Sequence, residues 1–389
     1  MNLLRVISLA TFVVLMALVG FAAGPPEVKP PMPPKAPTNE IIQTFPSNDA
    51  LKTAWKVRWA TANGYGLYIE DAYFKRGPKE PWMQVLGDAR LSEMFVPYAS
   101  GSPRFWDISY NFALTTPTSA DAGPHGKLLG EPAVAVQELR DRGVMWIDTN
   151  HGTRRGQKLV LWGCLNAANY RYIIEYGFQD DGVITFRVGS TGRNYSSREW
   201  EGHMHNGMWR VDVNLDGAAD NSVYVMEHIE PAAAQADSAA KTKMVKRPFN
   251  KGVEGFEDWH ADKFTMLSIV NDKKKNARKQ PISYDVAPLR MGNARHFGNK
   301  EECSQHDFWV TVNRKGEIYY PEVPTYAKKV AKIMNADVVI WHSSAAHHEP
   351  RSEDGKLIEG NLVGATPVMW TGFDLRPRNV FDGTPHYPY

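Results

Sequence analysis

The chain has 389 residues, 43% of them apolar and 23% charged, a globular balance that excludes a mainly disordered polypeptide. Lys and Arg number 45 against 43 Asp and Glu, a net charge of +2 that gives no basis for a nucleic-acid groove or a polybasic membrane surface. Two cysteines exclude a disulfide scaffold, and 11% aromatics with 31 glycines and 26 prolines favour turn-rich β structure.

Residues 1–24 read as a secretory signal peptide. Arg5 gives a positive start, Leu9 to Val19 is apolar, and Gly20 to Gly24 offers small residues for cleavage. The apolar run is short for a membrane span, so the expectation is a secreted or periplasmic protein. Residues 25–39 follow as a proline-rich, extended linker. From residue 40 to 389 no composition break divides the chain, which predicts one large β domain.

Alternation and aromatic content predict strands over Trp55 to Thr61 and Tyr65 to Phe74, with Asn63-Gly64 as the hairpin turn. Further strands are expected at Leu159 to Leu165, Tyr170 to Phe178, Val183 to Val188, Trp209 to Leu215 and Asp337 to Trp341. In Val183 to Val188, residues Ile184, Phe186 and Val188 share one face. Helical signal is sparse. The clearest segment is Thr325 to Met334, with Thr325 as N-cap. Glu131 to Arg140 is a weaker helix interrupted by Pro132, and Ala232 to Lys246 has a helix-like or loop-like composition. The basic cluster Lys273-Lys274-Lys275 reads as a solvated surface.

Three features could carry chemistry. In a strand, the imidazoles of His203 and His205 point to the same face and can reach one metal, and neutral imidazole suits copper, zinc, iron or nickel. His347-His348 is the other dense histidine site and could supply a third ligand. The second feature is the aromatic stretch Asn169-Tyr170-Arg171-Tyr172. The third is Leu91-Ser92-Glu93-Met94-Phe95-Val96-Pro97-Tyr98, followed by Phe105-Trp106-Asp107. Taken singly, each fits an ordinary strand, core aromatic or turn residue.

Taken together and in order, these pieces resemble the catalytic domain of the copper-containing amine oxidases. The resemblance runs from near Trp55 to the C-terminus. It includes Gly182 to Gly192, Arg210 to Gly217, His306-Asp307-Phe308-Trp309, His348-x-Pro350-Arg351-x-Glu353-Asp354 and Gly372-Phe373-x-Leu375-Arg376. It implies a large antiparallel β-sandwich, an all-β fold with few short helices, and a homodimer. It implies oxidation of primary amines to aldehyde, ammonia and hydrogen peroxide. Tyr170 would be the precursor of a topaquinone cofactor, and His203, His205 and His348 would hold copper. His348 is chosen over His347 because only His348 fits the family spacing to Pro350-Arg351. Asp107 would be the catalytic base, Asn169 would restrain the quinone ring, and Tyr98 would hydrogen-bond a quinone oxygen. Asp212 and Asp337, with the carbonyls of Val213 and Val338, would form a second, calcium-type site.

The sequence also departs from the family pattern. Arg171 stands where an acid usually follows the precursor tyrosine, and Asn166 stands where a threonine is usual. The interval between Asp107 and Tyr170 is short, and Cys164 and Cys303 do not occupy the family's disulfide positions. A buried Arg171 would need a carboxylate partner, and the expectation is Glu175 or an acid on a neighbouring strand. The rival reading is a non-catalytic copper protein in which Tyr170 stays a tyrosine. A β-sandwich adhesion or carbohydrate-binding module is a third, disfavoured by the collinear motifs.

Overall fold

A computed structural model describes residues 39–45, 53–62, 64–110, 113–194, 198–229, 243–263, 265–289, 300–354, 356–358, 361–363, 366–383 and 385. The expected signal peptide and most of the linker lie outside them, and the first strand begins at Asn39, the last linker position. No helix among the described residues is long and apolar enough to cross a membrane.

Two large antiparallel sheets pack face to face. Among the described residues the first has nine strands, and its centre is Met83–Pro97, His203–Val213 and Val338–His348, in that order. The second has eleven, with Gly152–Ala167, Tyr170–Gln179, Ile184–Gly192 and Met369–Arg378 side by side. Alternation decides what lies between the sheets. Along Tyr170–Gln179, residues Tyr170, Tyr172, Ile174, Tyr176 and Phe178 all enter the main core. Burying a side chain such as Ile174 or Phe178 stabilises the fold by roughly 1.5–3 kcal/mol. From the opposite sheet, Trp209, Val211 and Val213 meet them.

Every residue of His203–Val213 is buried, on both faces. The face turned away from the second sheet is covered by a second cluster that includes Trp106, Met208, Trp309, Tyr320 and Trp341. A strand sealed on both sides holds its side chains rigidly, which suits a metal site.

The strands predicted from alternation are present, several of them longer than expected: Ala54–Ala62, Gly66–Lys75, Gly152–Ala167, Ile184–Gly192 and Val338–His348. The helical expectations fail. Ala135–Asp148 is a strand paired with Gly152–Ala167, so pairing with a long neighbour overrides the weak helical composition around Glu131 to Arg140. The expected helix at Thr325 is only Val323–Ala327, with Pro324 in its first turn, so Thr325 lies inside the helix and is not its cap. Val330, in a left-handed conformation (φ 54°) and exposed, stops the helix short of the expected end at Met334. Of Ala232 to Lys246, residues 232–242 lie outside the described residues, and Lys243 opens the strand Lys243–Pro248. Lys273 and Lys274 end a strand in solvent and pair with Asp220 and Asp216.

Candidate active site

His203 and His205 project from one strand towards the second sheet. His203 is the direct cross-strand partner of His348. Parity then separates the two adjacent histidines: His348 shares the inward face, and His347 points outward to Glu349 with 42% of its side chain exposed. The ligand atoms of His203, His205 and His348 all lie within 4.8 Å of one another, and all three residues are buried. The Nε2 atoms of His203 and His205 are 3.0 Å apart.

Each imidazole is held by its outer nitrogen. His203 Nδ1 lies 3.3 Å from the Glu201 carbonyl, His205 Nδ1 lies 3.1 Å from the Tyr172 hydroxyl, and His348 Nε2 lies 3.4 Å from Asp354. Burial pushes His205 well below the usual imidazole range, so its lone pair is free at neutral pH. Three imidazole nitrogens converging from oriented rings fit a borderline ion such as Cu(II).

The strand opposite supplies Tyr170. Its hydroxyl is 3.1 Å from His203 Nε2 and 2.7 Å from His348 Nδ1, at the centre of the histidine cluster. Burial pushes this phenol far above its ordinary pKa, so it remains protonated. Gly192 makes room for it: a Cβ there would lie 2.3 Å from the Asn169 carbonyl and 2.5 Å from the Tyr170 ring.

Asp107 opens a one-turn helix, Asp107–Tyr110. Its carboxylate accepts a hydrogen bond from the Tyr172 hydroxyl. Burial pushes its pKa up to about 7, against the opposing pull of that bond. Asp107 and Tyr170 share a cavity of about 170 Å³ with Val96, Tyr98, Phe105 and Asn169 in its walls. Tyr98 stacks flat on His203, with ring centroids 4.3 Å apart and planes 6° from parallel. Asn169 sits on the exposed turn before Tyr170, its amide 3.5 Å from the Asn194 carbonyl.

Three buried residues near these had no role in the sequence reading. Tyr172 is fully buried on the Tyr170 face, and the i, i+2 alternation alone could have placed it there. Asn194 lies 3.5 Å from the Tyr170 hydroxyl and donates to the carbonyls of Arg198 and Glu201. Glu93, fully buried, accepts from the backbone N–H groups of Met94 and Ile108 and from the Ser109 hydroxyl, and so fixes the turn that carries Asp107. No local signal in the sequence marks Asn194 or Glu93 for these contacts.

Arg171 corrects an expectation. Alternation does place it on the face away from Tyr170, but it is exposed and its partner is not Glu175. Its guanidinium donates to Asn166, directly opposite in the ladder, and to the carbonyls of Ala168 and Tyr170. Glu175 is engaged by Arg140 at 2.6 Å and Lys158 at 3.8 Å. A charge left in water needs no carboxylate. Two of the departures from the family pattern, Arg171 and Asn166, are thus each other's cross-strand partners.

Asp212 and Asp337 meet on the outer face of the first sheet. Val213 and Val338 are register partners, and Asn313 donates to both carboxylates at 2.9 and 3.3 Å. Burial pushes Asp212 up to about 7, Arg210 pulls it down, and the Asp337 charge adds to the rise. One oxygen on each carboxylate is buried without a hydrogen bond, and a Cβ at Gly87 would come within 2.5 Å of Asp212. Orphaned hard oxygens in such a cradle fit a calcium-type cation.

The description "Copper amine oxidase, enzyme domain" matches residues 132–388. The chain is 24% identical over 404 residues to histamine oxidase from Arthrobacter globiformis, covering 88% of this chain and 57% of that protein. It is 26% identical over 393 residues to copper amine oxidase 1 from Aspergillus niger, covering 85% and 56%. The chain therefore spans just under three-fifths of the length of these two curated relatives. Among solved structures, an amine oxidase from Aspergillus nidulans superposes with a TM-score of 0.67 at 16% identity, covering 93% of this chain and 56% of that one. A copper-containing benzylamine oxidase from Hansenula polymorpha gives 0.66 at 17%, covering 92% and 64%. With the two-sheet sandwich, the inward histidines and a match to most of the chain in agreement, this protein belongs to the copper amine oxidase family.

Proposed function

We propose that the chain oxidises primary amines to aldehydes with release of ammonia and hydrogen peroxide. In this reading copper is held by His203, His205 and His348, and Tyr170 is the precursor of topaquinone. The observation that carries it is the Tyr170 hydroxyl lying within 3.1 Å of two of the three histidines, in a cavity it shares with Asp107. Copper and the quinone, when present, supply the two-electron chemistry that takes electrons from the amine and returns them to oxygen.

The chain's own residues bind, orient and move protons. Val96 and Phe105 give the cavity apolar walls that suit the carbon skeleton of an amine. Asp107 Oδ takes the α-proton of the substrate; a pKa near 7 leaves it ionised in a useful fraction at neutral pH and able to return the proton. Glu93 holds the helix that aims it. Tyr98 supports the His203 ring, and Asn169 borders the cavity beside Tyr170.

Around this core we place a cation at Asp212, Val213, Asp337 and Val338, a homodimeric assembly, export through residues 1–24 and a catalytic domain over residues 40–389. The outward, Asn166-paired guanidinium of Arg171 gives no support to the non-catalytic rival, because it does not face Tyr170. The test is peroxide and ammonia release on adding a primary amine to copper-loaded protein. Both products form in equal amounts in the wild type and are lost in Tyr170→Phe. Product formation that survives Tyr170→Phe overturns the proposal.

A further inference from the structure

Tyr172 stands between the two halves of the site. It is buried, its hydroxyl lies 3.1 Å from His205 Nδ1, and the same hydroxyl meets Asp107 Oδ2. The proton positions follow from the donor inventory. His205 Nε2 faces His203 Nε2 at 3.0 Å, so in a metal-ready ring the proton is on Nδ1. Nδ1–H then donates to the Tyr172 oxygen, which leaves the phenolic proton for Asp107. The outer nitrogens of His203 and His348 face a backbone carbonyl and Asp354. His205 alone of the three has its outer nitrogen directed towards the base.

We propose that Tyr172 is a positioning residue that ties the charge of Asp107 to metal occupancy: a cation on His205 polarises its Nδ1–H, this polarises the Tyr172 hydroxyl, and Asp107 is biased towards carboxylate. The inference rests on the proposed metal site and base. Its consequence is that Asp107 becomes a competent base only as the metal arrives. Among the described residues, the titratable groups around Asp107 are Tyr170 and Tyr172 from one sheet, and Glu93 and the cavity-wall Tyr98 from the other side. In the copper-free protein Tyr170 is a protonated phenol whose hydroxyl meets His203 and His348, and Glu93 bonds to Met94, Ile108 and Ser109, so Tyr172 is the direct path.

The experiment uses the full chain prepared without copper, with zinc as a redox-silent probe. Calorimetry establishes whether one zinc binds and whether His348→Ala removes it. Asp107 is titrated by ¹³C-carboxyl NMR, its resonance assigned by its loss in Asp107→Asn. In the wild type, zinc lowers the Asp107 midpoint by about one pH unit, the lower end expected for a favourable charge or hydrogen-bond change. In Tyr172→Phe the zinc-free midpoint rises, because a hydrogen bond to the carboxylate is lost, and less than half of the zinc effect remains. An equal zinc effect in both proteins overturns the link while leaving the metal site standing. A second measurement is independent of that variant: in zinc-loaded protein labelled with ¹⁵N-histidine, the His205 Nδ1–H signal moves on Asp107→Asn. An unmoved signal overturns the link, and a wild type that binds no zinc overturns the link and the metal site together.

Discussion

At the residue scale, strand parity makes the sharpest distinction. His347 and His348 are neighbours, yet only His348 faces His203. His348→Ala, His203→Ala and His205→Ala are each expected to abolish tight copper binding, whereas His347→Ala retains most of it. Metal analysis after dialysis checks this, and the reverse pattern refutes the ligand set. Asp107→Asn is expected to keep copper and lower amine turnover by roughly 10²–10⁴ or more, the usual worth of general-base catalysis. The pH dependence has two opposite signs. Turnover of the copper-loaded protein at limiting substrate rises with pH as Asp107 ionises, with a midpoint below the value of about 7 that burial gives the metal-free site, because the metal lowers it. Stability of the metal-free protein moves the other way. Burial raises the folded pKa of both Asp107 and Glu93 to about 7, so the native state holds protons that the unfolded chain has released. Their stabilisation is complete below about pH 4 and fades as pH rises to about 7. Denaturant unfolding of Glu93→Gln should show a flatter dependence across that window than the wild type.

At the scale of elements, the turn before Tyr170 and the strand beside it fix the precursor. Gly192 lies opposite Tyr170 in the ladder and leaves no room for a methyl group. Gly192→Ala is expected to displace Tyr170 and lose quinone formation. Overpacking of this kind typically costs about 1–3 kcal/mol, which a domain this size can absorb, so circular dichroism should stay native-like. Arg171 and Asn166 clamp the same turn from the solvent side. Contacts this exposed are worth little, so Arg171→Asp should shift stability by at most about 1 kcal/mol and leave quinone yield unchanged. Quinone appearing only in Arg171→Asp would show that the native arginine blocks maturation. This element also marks the limit of sequence reading. Alternation alone placed Arg171 away from Tyr170, but its partner follows from register, and register depends on the whole hairpin. The expected carboxylate partner is missing for a different reason: Arg171 is exposed, so its charge needs none.

For the molecule as a whole, the two sheets matter because each carries half of the site. The histidines come from the first and Tyr170 from the second, so neither half works unless the sandwich closes. A large β domain and the shared face of Tyr170 and Tyr172 were legible from period-two patterning, the sandwich from the resemblance to the family, and the histidine pair from its i, i+2 spacing. The helices expected at Glu131 and Thr325 were not, because cross-strand pairing and local backbone geometry outweigh weak composition signals. Glu93 and Asn194 were invisible as site residues because their contacts come from chain segments brought together only by folding. The central claim, that Tyr170 matures beside copper, is tested most directly by the visible spectrum of protein expressed without copper, recorded before and after adding copper in air. A featureless spectrum that develops a quinone band with one copper bound per chain, and fails to do so in Tyr170→Phe, is the predicted result. One copper bound with no band in the wild type would contradict it.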